Sequence, residues 1–131
     1  MKFLITGGAG FIGSNYLHYV TDKYKNDYFV CLDALTYAGN YNNIKDLEEK
    51  DNYKFVKGDI TDRVFIDKLF NDEKFDVVIN FAAESHVDNS ISNPEIFLIT
   101  NIIGTEILMD ASLKYNVKRY HQISTDEVYG D

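Results

Sequence analysis

Short apolar runs alternate along this chain with segments whose apolar residues recur every three to four positions. Lys2 to Thr6 reads as a buried strand, followed by glycines and an amphipathic helix from about Phe11 to Tyr24. Tyr28 to Leu32 is a second apolar run, ending at Asp33. An asparagine-rich stretch follows, with a short helix around Asn43 to Glu49. Tyr53 to Val56 reads as a third strand, and Val64 to Phe70 lies in a helix that Asp62 is placed to cap. Asp76 to Asn80 is a fourth strand, apolar as expected where helices cover both faces of a parallel sheet.

The longest helical pattern begins near Pro94, with Asn93 as its N-cap and Glu95 at the positive end of its dipole. Ile96, Ile99, Ile103, Ile107 and Ala111 recur at helical spacing and predict its buried face. A fifth strand, Lys118 to Ile123, runs into Ser124 to Asp131. Strands that alternate with helices predict an α/β fold: a doubly wound parallel sheet of Rossmann type, with right-handed crossovers. Five strands are present where such sheets have six or more. The expectation is therefore an incomplete domain over residues 1–131, with later strands and a C-terminal substrate domain absent.

Composition narrows the partners. The chain has 131 residues, 45% hydrophobic and 26% charged, enough for one domain with a real core. No apolar run reaches the ~18 residues of a membrane span, and the N-terminus lacks the pattern of a signal peptide. A cytoplasmic location is the default. A net charge of −8 argues against a nucleic-acid-binding face. It does not argue against a phosphate ligand, because backbone amides at a helix N-terminus bind phosphate without lysine. The one cysteine, Cys31, lies in an apolar strand and is a poor candidate nucleophile. His18, His86 and His121 are scattered, so no metal site is expected.

The chemistry begins at Thr6-Gly-Gly-Ala-Gly-Phe-Ile-Gly13, between the first strand and the first helix. Gly7, Gly10 and Gly13 form GxxGxxG, which supplies a tight turn, close backbone approach to a pyrophosphate and tight helix packing. Phe11 and Ile12 open the helix beside that pyrophosphate. Asp33 ends the second strand twenty residues past Gly13, where a carboxylate accepts from ribose hydroxyls and repels a 2′-phosphate. The pattern therefore predicts NAD in preference to NADP.

Together with Asp33-Ala-Leu-Thr-Tyr-Ala-Gly-Asn40, Gly58-Asp-Ile60, Phe81-Ala-Ala-Glu-Ser-His-Val-Asp88 and Ser124-Thr-Asp-Glu-Val-Tyr-Gly-Asp131, this loop resembles the extended short-chain dehydrogenase/reductase family. Within it the chain is most similar to the dTDP-glucose 4,6-dehydratases, along its whole length. The resemblance implies that Asp59 and Ile60 hold the adenine and that Ala82 and Ala83 pass close to the cofactor. The bare residues read equally as a turn and as helix formers. It also implies a reaction in which sugar C4 is oxidised by hydride transfer to NAD, water leaves across C5 and C6, and the hydride returns to C6. By likeness Asp126 is the acid for the departing C6 hydroxyl, Glu127 the base for the C5 proton, and Thr125 a donor to the C4 oxygen. Alone, that triplet is also a common helix start. Ser85, His86 and Asn89 fall on the substrate side, although many relatives carry arginine in place of Asn89. Asn101 resembles the helix asparagine of the superfamily's proton relay.

The family's catalytic YxxxK pair is not recognisable. Tyr19 with Lys23, Tyr41 with Lys45 and Tyr53 with Lys57 match the bare spacing, but on a helix, a loop and a strand away from the catalytic edge. The expectation is a nucleotide-sugar enzyme, homodimeric when full length, of which this portion alone is inactive and prone to associate. Two other readings stand beside it: an epimerase or decarboxylase of the same superfamily, and a non-catalytic NAD-binding module.

Overall fold

The computed structural model describes residues 1–35, 41–81 and 94–123, with side chains from residue 101 onward in the last segment. Five parallel strands, β1 (Lys2–Thr6), β2 (Tyr28–Asp33), β3 (Tyr53–Lys57), β4 (Val77–Asn80) and β5 (Arg119–Gln122), lie in the order β3-β2-β1-β4-β5. Helix α1 (Phe11–Lys23) follows β1, α2 (Arg63–Glu73) follows β3, and α3 (Pro94–Lys114) precedes β5. The predicted strands and long helices are present to within a few residues at their ends. The helix expected around Asn43–Glu49 is instead two short 3-10 helices, Tyr41–Asn43 and Lys45–Glu49. Among the described residues, no helix is long and apolar enough to cross a membrane.

Strand alternation divides the core into two layers. Ile5, Phe29, Cys31, Val77 and Ile79 face Leu17 and Val20 of α1, with Ile44 and Leu47 of the 3-10 segment. Leu4, Val30, Leu32 and Val78 face Ile66 and Phe70 of α2 and Ile107 and Leu108 of α3. Both layers meet on β1 and β2, whose middle residues are fully buried. Burying a side chain such as Phe29 or Phe70 is worth roughly 1.5–3 kcal/mol.

The periodicity of α3 misplaced one residue. Ile107 and Ala111 are buried as expected, but Ile103 is 43% exposed. The buried face runs through Gly104, Ile107, Leu108, Ala111 and Ser112. Gly104 explains the rotation: a Cβ there would stand 2.3 Å from the Ile60 side chain, so the helix rests its glycine against the loop after β3. Ile103 turns outward with Ile102, Met109 and Leu113, all exposed. Ile96, Ile99 and Asn93 lie outside the described side chains.

Helix ends follow local chemistry. The Asp62 carboxylate accepts from the Phe65 amide at 3.1 Å, capping α2 as the sequence suggested. At the other end of α2, Glu73 receives Lys2 Nζ of β1 at 2.7 Å and Lys54 Nζ of β3 at 2.6 Å. Burial acts to raise the Glu73 pKa, but the hydrogen bonds from the two ammonium groups outweigh it and hold the carboxyl below its usual value of 4.5.

Asp62→Ala should lower stability by about 1 kcal/mol in chemical denaturation, the usual cost of a lost N-cap. Glu73 has a depressed folded-state pKa, so its contribution is fully present above pH 4.5 and is lost as pH falls through the lower folded value. Denaturation midpoints from about pH 6 down to about pH 3 should fall less steeply in Glu73→Gln than in the parent chain. Parallel acid limbs would show that Glu73 plays no part.

Candidate functional site

The chain builds outward from β1 through β2 to β3, then returns to place β4 on the other side of β1. The carboxyl ends of β1 and β4 thus form the switch point at which open α/β sheets bind ligands. Thr6 and Asn80, paired in register, mark that point. The strands are parallel, so the carboxyl ends of β1, β2 and β3 all lie on the same edge.

The glycine loop is built as its spacing predicts. Gly7 has a φ of 71°, a left-handed conformation that glycine adopts without steric cost, and its amide bonds the Leu32 carbonyl at 2.8 Å. The Gly10 amide closes a turn onto the Gly7 carbonyl at 3.2 Å. A Cβ on Gly13 would lie 2.5 Å from the Gly7 carbonyl oxygen, so only glycine lets α1 sit this close to the loop. Gly8 packs as tightly on Cys31, where a Cβ would come within 2.4 Å of the sulfur. Helix α1 starts from Gly10 with no side-chain cap and no acidic residue in its first turn. The positive end of its dipole points at the glycine loop, where an anion is favoured. Phe11 and Ile12 are exposed beside it, at 74% and 47%.

Asp33 ends β2 against this loop, half-buried. One carboxylate oxygen accepts from the Ala9 amide at 2.9 Å and the other from the Leu35 amide at 2.7 Å. Each carboxylate oxygen has two lone pairs, so each can still accept from a hydroxyl. The group can bind a diol, and its charge opposes a phosphate. Asp59 lies at the end of the neighbouring loop, where its carboxylate accepts from the amide and hydroxyl of Thr61 at 2.9 and 2.8 Å. The turn itself runs from Asp59 to Asp62, whose amide bonds the Asp59 carbonyl at 3.0 Å, with Ile60 and Thr61 at its centre. The Ile60 side chain packs under Gly104.

A polar cluster at the switch point, buried at Thr6 and Asn80 and open to solvent at Gln122, was not legible from patterning. The Thr6 hydroxyl donates to the Asn80 side-chain oxygen, and both residues are fully buried. The Asn80 amide nitrogen reaches Gln122 Oε1 at 2.9 Å, Tyr120 Oη at 3.3 Å and Thr105 Oγ1 at 3.4 Å. The Tyr120 hydroxyl also donates to Gln122 at 2.8 Å, and burial raises its pKa. The cluster joins β1, β4, β5 and α3 where the chain leaves β4 and β5. The available signal was a polar residue closing an otherwise apolar strand, in register with Thr6.

The remaining candidates divide plainly. Asn101 is half-buried on α3. Ala82, Ala83, Ser85, His86, Asn89, Thr125, Asp126 and Glu127 lie outside the described residues. Among the described residues, no group of acidic, histidine or cysteine side chains could hold a metal ion. Cys31 is fully buried; burial first, then the Asp33 carboxylate, push its thiol up to about 12, while Tyr53 and the Gly8 backbone pull the other way. It is a neutral packing group. Of the chance tyrosine–lysine pairs, Tyr53 is buried against Cys31, and Lys23 bonds the Tyr19 hydroxyl at 2.8 Å on exposed helix surface.

Fold and loop together define a doubly wound α/β domain of the nucleotide-binding type. The chain belongs to the GDP-mannose 4,6 dehydratase family, whose model matches residues 4–131, and so to the extended short-chain dehydrogenases/reductases that its motifs suggested. It is 53% identical to the low-salt glycan biosynthesis protein Agl12 of Haloferax volcanii, covering all of this chain and 41% of that protein. It is 50% identical to a dTDP-glucose 4,6-dehydratase of Mycobacterium tuberculosis, again over the whole chain and 38% of the relative. Among solved structures, DesIV of Streptomyces venezuelae, a dTDP-glucose 4,6-dehydratase with NAD and TYD bound, superposes with a TM-score of 0.88. It is 40% identical, over all of this chain and 41% of DesIV. The chain thus spans about two fifths of the length of these proteins.

Gly13→Ala should cost on the order of 1–3 kcal/mol, because the clash is with backbone that cannot turn away. Thermal denaturation checks this, and an unchanged midpoint would show that loop and helix separate easily.

Proposed function

We propose that this chain is the cofactor-binding portion of an NAD-dependent nucleotide-sugar 4,6-dehydratase acting on dTDP-glucose. The observation that carries the reading is the Asp33 carboxylate, fixed by two backbone amides beside the glycine loop that opens α1. It stands in a chain half identical to a dTDP-glucose 4,6-dehydratase. The residues fit the cofactor: glycines leave room for the pyrophosphate, α1 offers its positive end, and Asp33 takes the ribose diol. Phe11, Ile12, Asp59, Ile60, Ala82 and Ala83 complete this side. When bound, NAD supplies the hydride acceptor and donor.

The acid–base work falls to residues just past β5. Glu127 takes the C5 proton, Asp126 protonates the departing C6 hydroxyl, and Thr125 donates to the C4 oxygen. Two neighbouring carboxyls do this only if one is neutral and the other ionised. Ser85, His86 and Asn89 face the sugar nucleotide, and Asn101 organises the proton path. Dehydration belongs to the full-length protein, which supplies the further strands, the substrate domain and the tyrosine–lysine pair. That protein is cytoplasmic and homodimeric; the exposed apolar residues of α3 support an association.

Calorimetric titration of the full-length protein should give NAD at least about tenfold tighter binding than NADP, and Asp33→Asn should narrow the gap. Tighter NADP binding would overturn the cofactor assignment. In the full-length protein, Asp126→Asn with Glu127→Gln should abolish the 4-keto-6-deoxy product while reduced cofactor still accumulates. A protein that instead inverts C4 and never loses water would be an epimerase.

A further inference from the structure

We infer that Asn43 is a positioning residue for the cofactor loop, holding the Ala9–Gly10 peptide in its binding conformation before any dinucleotide arrives. This rests on the reading of the loop as an NAD site. The Asn43 side-chain amide donates to the Ala9 carbonyl oxygen at 2.9 Å. The Ala9 amide is held from the other side by Asp33 at 2.9 Å, and the Gly10 amide by the Gly7 carbonyl at 3.2 Å. Both peptide planes flanking Ala9 are therefore pinned. With its carbonyl on Asn43 and its amide hydrogen on Gly7, the Ala9–Gly10 peptide cannot flip without losing both bonds.

Asn43 has a firm base for this although it lies at the surface. The next residue, Ile44, is fully buried in the α1-side core, and its amide closes a turn onto the Tyr41 carbonyl at 3.0 Å. The Tyr41 ring packs edge-on against Phe55 of β3 at 5.1 Å. The His18 ring of α1 bonds the Asn43 carbonyl at 2.9 Å. The amide is thus referenced to β3, to the core and to the helix whose N-terminus receives the pyrophosphate. A loop ordered in advance does not lose that conformational freedom on binding, and the saving appears as affinity.

A matched control stands at the opposite end of α1. The Asn52 amide donates to the Thr21 and Tyr24 carbonyls at 3.0 and 3.3 Å, at the end of α1 far from the loop. In the full-length protein, Asn43→Ala and the isosteric Asn43→Asp should each weaken NAD binding about fivefold to tenfold, the scale of one net hydrogen bond. Asn52→Ala should lower the melting temperature without changing NAD affinity. Amide hydrogen exchange of the cofactor-free chain supplies the second reading: Asn43→Ala should speed exchange at Ala9 and Gly10 several-fold and leave Val20 unchanged. Unchanged exchange at Ala9 overturns the clamp. Faster exchange with undiminished NAD affinity overturns its role in binding, as does an equal affinity loss in Asn52→Ala. If the full-length parent protein binds no NAD, the cofactor reading fails separately, and exchange alone decides the clamp.

Discussion

The hydrogen bond from the Ala9 amide to the Asp33 carboxylate ties the turn after the first strand to the tip of the second. It forms only because Gly7 turns with a positive φ and Gly13 lets α1 rest on the Gly7 carbonyl. Those two glycines bring the loop down; Asp33 then holds it. The same carboxylate, partly spent on backbone amides, keeps enough lone pairs for a sugar diol. In the proposed cofactor site, one charged group thus serves both the architecture and the recognition, and substitutions at Asp33 would report on both.

The opposite side of the switch point is organised without charge. Thr6 and Asn80 share a fully buried bond, and the Asn80 amide reaches acceptors on β5 and α3. Buried polar groups are tolerated when satisfied, and a satisfied set fixes geometry better than apolar contacts, which slide. Here it sets the separation of β4 and β5 at the points where both strands give way to the segments bearing Ala82–Asn89 and Thr125–Glu127.

What the sequence disclosed follows from how local each feature is. The strands were readable because β1, β2 and β4 are buried on both faces, and the glycine loop because Gly7 and Gly13 each answer a local steric demand. Asp33 was readable because its distance from the loop is set by one helix and one strand. Ile103 was misplaced because α3 carries apolar residues on more than one face, so periodicity alone could not fix its rotation. That was decided by the contact of Gly104 with Ile60, far apart in sequence. Asn43 and Asn80 were not readable as site residues for the same reason. An asparagine's value lies in which carbonyl or amide stands opposite it, and these partners arrive from other elements.

Cys31 carries a practical consequence. It is the chain's one cysteine, fully buried between the glycine loop and β3, with a thiol that stays protonated at any working pH. Thiol-directed probes need an exposed thiolate. The folded protein therefore offers them a silent background, and a single cysteine introduced at a chosen surface position would take a fluorophore or spin label alone. Motions of the cofactor loop can then be followed without first removing the native sulfur that supports it.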